Sequence, residues 1–307
     1  MTYPVKHVLV LAALVLLAVA IGLYVREPAQ RAALPAPQTT DILVLGDSQL
    51  SFGAGPVLSR FFADLPYQCR NHLSAANRLS LPESKRFGMI GVRSTSLQSW
   101  TSTGGRAWEL LCHKDKRWGV NASVWGTLKP ADRRYVQIGE GENFQFCRAG
   151  GTPLQQLFAD AYYLPELLMI FVGGNGAARL AGDLKAARRD VAAFLNELPN
   201  DTGCVFMMTA PVYSPVQIAQ RRAAQANLKI VFAEHGERCT FVAGHTPETR
   251  AAIEGKARFF RRREDGSVKD PYHANEDAAQ RFLESRRPTL CRALAFQLQR
   301  RSMGGAS

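Results

Sequence analysis

The chain has no internal repeat of fixed period and no low-complexity tract, which excludes solenoids and repeat arrays. It has no Cys-x-x-Cys pair, so zinc ribbons and thioredoxin-type redox motifs are excluded, and no His-Glu-x-x-His stretch marks a helix-borne metal site. The glycine-rich segment Gly173-Gly174-Asn175-Gly176 is not followed by the Lys-Ser/Thr of a phosphate loop, which argues against a nucleotide site. Acidic residues are scarce: 26 Asp and Glu face 38 Lys and Arg, leaving a formal charge of +12. Arg133-Arg134, Arg188-Arg189, Arg221-Arg222, Arg286-Arg287 and Arg261-Arg262-Arg263 carry much of that excess. They are scattered and lack the basic-plus-aromatic pattern of a nucleic-acid module, so no nucleic-acid partner is expected. What is there is 307 residues, 46% hydrophobic and 21% charged, the composition of a folded globular protein with a sizeable core.

The N-terminus sets the compartment. After Lys6 and His7, the uncharged run from Val8 to Tyr24 reaches the lower limit, about 17 residues, for crossing a hydrocarbon core. Ala18-Val19-Ala20 also has the small-x-small form of a signal-peptidase site. Residues 1–26 are therefore expected to be a membrane anchor, with a cleaved signal as the alternative. On either reading the remainder is exported, with Lys6 on the cytoplasmic side. The expected location is the cell inner membrane with a periplasmic domain, or secretion after cleavage. Residues 27–39, rich in Pro and Ala, read as a tether, and 40–300 as the folded domain.

Export changes the reading of Cys69, Cys112, Cys147, Cys204, Cys239 and Cys291 from metal ligands to disulfides. Six cysteines allow 15 pairings. Cys204 with Cys239, which begin two neighbouring predicted strands, and Cys69 with Cys112 are the expected pairs. Cys112-His113 with Asp115 is a weak metal candidate, since His235 and His245 stand alone; neither metal nor cofactor is expected.

Short apolar runs at 41–45, 167–172, 204–208 and 240–242 read as buried strands. Helical patterns lie between them at 155–163, 177–198 and 216–235, and a last one at 274–298 turns Ala278, Phe282 and Leu290 inward. This alternation predicts an α/β fold, a parallel sheet with helices on both faces, in which functional groups gather at the carboxyl ends of strands. Residues from about 61 to 152 fit the rhythm poorly and hold Trp100, Trp108, Trp118 and Trp125. They are read as an elaborated region over the site, with an insertion at about 101–152.

Three blocks could carry chemistry. The first strand runs into Gly46-Asp47-Ser48, placing a hydroxyl at the sheet edge, as a nucleophile requires. The strand at 167–172 ends in Gly173-Gly174-Asn175, offering an amide at a second strand end. Asp270-Pro271-Tyr272-His273 precedes the last helix, and a carboxylate three residues before a histidine can fix its tautomer and stabilise its charged form.

These blocks, in this order, resemble the SGNH (GDSL-type) hydrolase superfamily over roughly residues 41–66, 88–100 and 165–298. The resemblance implies a three-layer α/β/α sandwich with a flavodoxin-like parallel sheet, and ester hydrolysis without metal or cofactor. It implies Ser48 as nucleophile, His273 as general base and then acid, and Asp270 as the group orienting it. The Ser48 N–H and Asn175 would donate to the oxyanion, with a third donor from the block Gly88 to Ser96. There Ser94 stands where the family has glycine, and Gly91 is the nearby glycine that could replace it. Asn175 is followed by Gly176, where the family commonly has Asp.

The expected activity is hydrolysis of acyl esters, foremost O-acetyl groups, on a carbohydrate, and an anionic one would account for the charge. The alternatives are a lipid esterase or lysophospholipase, acetyl transfer during polysaccharide assembly, and a non-catalytic glycan-binding protein of the same fold.

Overall fold

The computed structural model of the protein describes residues 41–78, 81, 87–103, 122–126, 136–140, 151–158 and 165–304, with the backbone alone at 122–126, 136–140 and 301–304. The expected anchor or signal segment, the tether, Trp108, Trp118, Cys112, Cys147 and most of the insertion lie outside them. Among the described residues no helix is long and apolar enough to cross a membrane.

Seven strands, β1 (Ile42–Gly46), β2 (Phe87–Val92), β3 (Ala122–Gly126), β4 (Val136–Glu140), β5 (Leu167–Val172), β6 (Gly203–Met208) and β7 (Thr240–Val242), form one sheet in the order β4-β3-β2-β1-β5-β6-β7. The five strands β2, β1, β5, β6 and β7 run parallel, and β3 and β4 extend one edge antiparallel. Counted along the chain, the parallel part has the order 2-1-3-4-5 of flavodoxin-like sheets. Every residue of β1, β2, β5 and β6 is buried, as in a sheet covered on both faces.

Strand alternation divides the core into two layers. Ile42, Val44, Met169 and Phe171 face α1 (Gly55–Ala63) and the long C-terminal helix; Leu43, Leu45, Leu168 and Ile170 face α2 (Ala177–Gly182), α3 (Leu184–Glu197) and α4 (Pro215–Glu234). The helix α5 (Pro247–Ile253) adds Ile253 to the first layer, and α6 (Glu276–Gly304) turns Ala278, Phe282 and Leu290 into it.

Three elements depart from the sequence expectation. Phe87–Val92 is a central strand, hidden because Gly88 and Gly91 interrupt its apolar run. The helix expected over 177–198 is two helices, because Asp183 is extended (φ −142°, ψ 100°) and ends the first of them. The last helix begins at Glu276, since Ala274 forms a bridge with Phe260 instead.

Cys204 pairs with Cys239, as expected for residues opening neighbouring strands. The expected Cys69–Cys112 pair is corrected: Cys69 is bonded to Cys291, with Cα atoms 5.4 Å apart. Cys69 ends the short helix Leu65–Cys69, which packs against α6, and the 222-residue separation hides that contact from the sequence. In the chain-entropy account, closing this loop is worth about 5 kcal/mol, against about 4 for the 35-residue Cys204–Cys239 loop. Non-reducing peptide mapping should recover a Cys69–Cys291 peptide. Replacing both residues by alanine should lower the thermal midpoint more than replacing Cys204 and Cys239.

His245, only 6% exposed, is buried with no hydrogen-bond partner for either ring nitrogen among the described residues. Burial, and then the charges of Arg221, Arg222 and Arg250, push its pKa down to about 3. Unfolded histidine titrates near 6.5, so below that pH the unfolded chain takes up a proton that the native state refuses. Stability should therefore fall as the pH drops from about 6.5 toward 3, by up to about 1.4 kcal/mol per unit. Urea denaturation at several pH values should show this slope, and His245→Phe should flatten it.

Candidate active site

β1 lies between β2 and β5, so its carboxyl end falls where the strand order reverses and a crevice opens in such sheets. The chain leaves β1 at Gly46 without room for a side chain: a Cβ there would stand 2.7 Å from Leu50. Ser48 then begins a helical turn that widens into a π-type turn at Leu50–Ala54.

The Ser48 hydroxyl lies 2.8 Å from His273 Nε2, and His273 Nδ1 lies 2.7 Å from Asp270 Oδ2. The other oxygen, Asp270 Oδ1, accepts from the backbone N–H groups of Tyr272 (3.0 Å) and His273 (3.1 Å), so the acid is fixed on both sides. Partial burial works to raise the Asp270 pKa, but the bonds from the His273 ring and these N–H groups outweigh it and hold the carboxyl below its usual range. An ionised acid on Nδ1 leaves Nε2 free to take a proton from the serine. Ser48 thus forms one hydrogen-bonded line with Asp270 and His273, which lie more than 220 positions further along the chain.

Asn175 stands past the end of β5, and its Nδ2 donates to the Thr95 carbonyl at 3.0 Å. Thr95 is itself held by its hydroxyl, which donates to Val92 O (2.7 Å) and Gly46 O (3.3 Å). An amide nitrogen carries two hydrogens, so one remains to point at a reacting oxygen. Ser94 lines the same cavity with φ +66°, the only left-handed φ on a non-glycine among the described residues. Its backbone adopts the conformation that glycine takes most readily. Gly91 is not brought to the cavity: it lies inside β2, opposite Gly46 and Ser123, with a Cβ position 2.7 Å from Ser51 Oγ.

The cavity, about 510 Å³, is lined by Ser48, His273 and Asn175 and walled by Arg93, Gln217 and Gln220. Phe52 (38% exposed) packs against His273 with ring centroids 4.4 Å apart and planes tilted by 42°, and the Arg93 guanidinium sits over the Phe52 ring, 4.6 Å from its centre. Tyr272 (45% exposed) is the second aromatic on this rim. Of the four tryptophans, Trp100 is buried in the core; the side chains of Trp108, Trp118 and Trp125 lie outside the described residues.

Sequence reasoning missed the residues flanking Ser48. Asp47 (1% exposed) accepts from the N–H of Gln49 at 2.8 Å and of Gly174 at 3.4 Å. Burial raises its pKa against the opposing pull of the Gln49 N–H, the Arg221 charge and the Gly174 N–H. Arg221 is buried as well, which lowers its pKa to about 10, and its Nη2 packs 2.5 Å from where a Gly174 side chain would begin. Gln49 donates to Tyr272 O (3.3 Å) and accepts from Ala210 N (3.1 Å).

No group of three or more His, Cys, Asp or Glu suited to a metal occurs among the described residues; Cys112, His113 and Asp115 lie outside them. No model of a known protein family matches the chain, and a search of curated proteins finds no relative.

Asp47→Asn replaces one acceptor by an NH₂ group that must face the N–H of Gln49 or Gly174. Leaving one buried donor unmatched should cost about 1–3 kcal/mol. Chemical denaturation checks it, and an unchanged stability would show that the Asp47 carboxylate does not tie these loops.

Proposed function

We propose that the chain is a serine esterase of SGNH type, hydrolysing acyl esters, foremost O-acetyl groups, on a carbohydrate. The observation that carries this reading is the unbroken line Asp270–His273–Ser48, at 2.7 and 2.8 Å, opening on a cavity at the strand-order reversal. The order of the three sequence blocks and the 2-1-3-4-5 parallel strands support the same family.

In this mechanism Ser48 Oγ attacks the ester carbonyl while its proton passes to His273 Nε2, and Asp270 stabilises the imidazolium. The carbonyl oxygen becomes an oxyanion facing the Ser48 and Ser94 N–H groups and the second Asn175 hydrogen. Collapse of the tetrahedral intermediate breaks the bond to the alcohol, which leaves with the proton from His273. Water then attacks the acyl-enzyme with His273 again as base, releasing the carboxylic acid and restoring Ser48.

Carbohydrate is favoured over lipid because Gln217, Gln220, Asn175 and Arg93 present hydrogen-bonding groups, while Phe52 and Tyr272 put partly exposed aromatic rings on the rim. The described disulfides fit an oxidising compartment, and with the apolar run at Val8 to Tyr24 they support an exported, membrane-anchored enzyme.

Acetate release from acetylated oligosaccharides, compared with release of long acyl chains from lipid esters, tests the reading. Ser48→Ala and His273→Ala should each lower turnover by about 10⁴-fold or more. Asn175→Ala should lower it by about 10²–10³-fold. Acetate release that survives Ser48→Ala would overturn the mechanism, and faster release of long acyl chains would overturn the substrate class.

A further inference from the structure

The chain between α5 and α6 carries an unusual charge. Exposed Arg258, Arg261, Arg262, Arg263 and Lys269 lie there, with Arg281 of α6 beside Phe259 and with Glu264 and Asp265 as the acids of the same turn. The segment is an antiparallel hairpin: Arg263 N donates to Ser267 O at 2.8 Å, Lys269 N donates to Arg261 O at 2.7 Å, and Arg262 is bridged to Val268. Asp265 is occupied by its own turn, accepting from the N–H and hydroxyl of Ser267. Arg258 and Arg281 both approach the Phe259 ring, at 4.7 and 5.6 Å from its centre, so two like charges gather around one side chain.

Several surface arginines elsewhere have carboxylate partners. Arg60 is paired with Glu276, Arg179 with Asp190, Arg188 with Glu234 and Arg189 with Asp183. Among the described residues the hairpin cations form no ion pair. Glu264 and Asp265 offset this cluster only in part, and a polyanion would neutralise the remainder. The hairpin also ends on the site: Asp270 N donates to Arg261 O at 3.3 Å, and Asn275 Nδ2 donates to Arg258 O at 3.2 Å, two residues beyond His273.

We propose that this hairpin is a rail for a polyanionic carbohydrate chain, drawing an acidic polysaccharide past the cavity mouth so that its esters reach Ser48. The inference rests on the esterase reading and gives it a substrate class: esters on a chain bearing carboxylates. A polysaccharide is favoured over an anionic bilayer because bilayer-docking surfaces combine cations with exposed apolar side chains. Between Arg261 and Lys269 the one apolar side chain is Val268, and it is half-buried.

Binding can be read apart from catalysis in full-length protein carrying Ser48→Ala, titrated with a polyuronate oligosaccharide, a neutral oligosaccharide of equal length, and phosphatidylglycerol vesicles with zwitterionic vesicles as blank. The polyuronate should bind, the neutral chain should bind at least about tenfold more weakly, and added salt should erode the difference. Arg258→Gln/Arg261→Gln/Arg262→Gln should weaken polyuronate binding about tenfold or more, and the corresponding triple lysine variant should restore it. Equal affinity for neutral and acidic chains, binding unmoved by the glutamine variant, or a charge preference seen with vesicles alone would overturn the proposal. Acetate release by the Ser48 protein is measured separately, so loss of the rail and loss of the esterase reading give different results.

Discussion

Ser48 is flanked by two buried side chains, and the site depends on the bonds they make outward. Asp47 reaches the backbone of Gly174, next to Asn175; Gln49 reaches Ala210 after β6 and the Tyr272 carbonyl, next to His273. The two neighbours of the proposed nucleophile thus tie together the loop of Asn175 and the loop of His273. A third tie, from Thr95 to Gly46 and Asn175, brings in the loop after β2. Loops drawn from four strand ends hold a fixed geometry because these polar groups are buried, where each lost hydrogen bond is expensive. Arg221 is admitted to this interior under Gly174, at a position where any larger residue than glycine would collide with it.

The parts of this arrangement that follow from local pattern were legible in the sequence. The apolar runs of β1, β5 and β6 stand out because a strand buried on both faces has no polar residues to interrupt it. Ser48, Asn175, Asp270 and His273 could be named because each lies in a short block just after a predicted strand or ahead of the last helix. β2 escaped notice because two glycines dilute its run. Cys291 escaped as the partner of Cys69 because their contact arises only when the C-terminal helix packs back on the first layer. The choice between Gly91 and Ser94 needed the backbone: nothing in a serine's identity announces a left-handed φ, and nothing in a glycine's announces that it is locked within a strand. Arg221 looked like one more surface arginine, since burial of a cation leaves no local signature in a helix otherwise rich in charge and amide groups.

The net charge of +12 acquires a location from the fold. The surface arginines of α1, α2 and α3 have carboxylate partners, while Arg258, Arg261, Arg262, Arg263 and Lys269 outnumber Glu264 and Asp265 on the hairpin that leads into Asp270 and His273. Polar cavity walls, two rim aromatics and an adjoining row of cations are the features on which the proposed acidic, polyhydroxylated substrate rests.

The central claim is that Ser48 is a nucleophile made reactive by His273, and covalent labelling addresses it directly. A fluorophosphonate probe should modify the folded protein at Ser48, located by peptide mass spectrometry, and should fail with His273→Ala and with denatured protein. Absence of an adduct on the folded protein, or an adduct at another residue with Ser48 unmodified, would contradict the account.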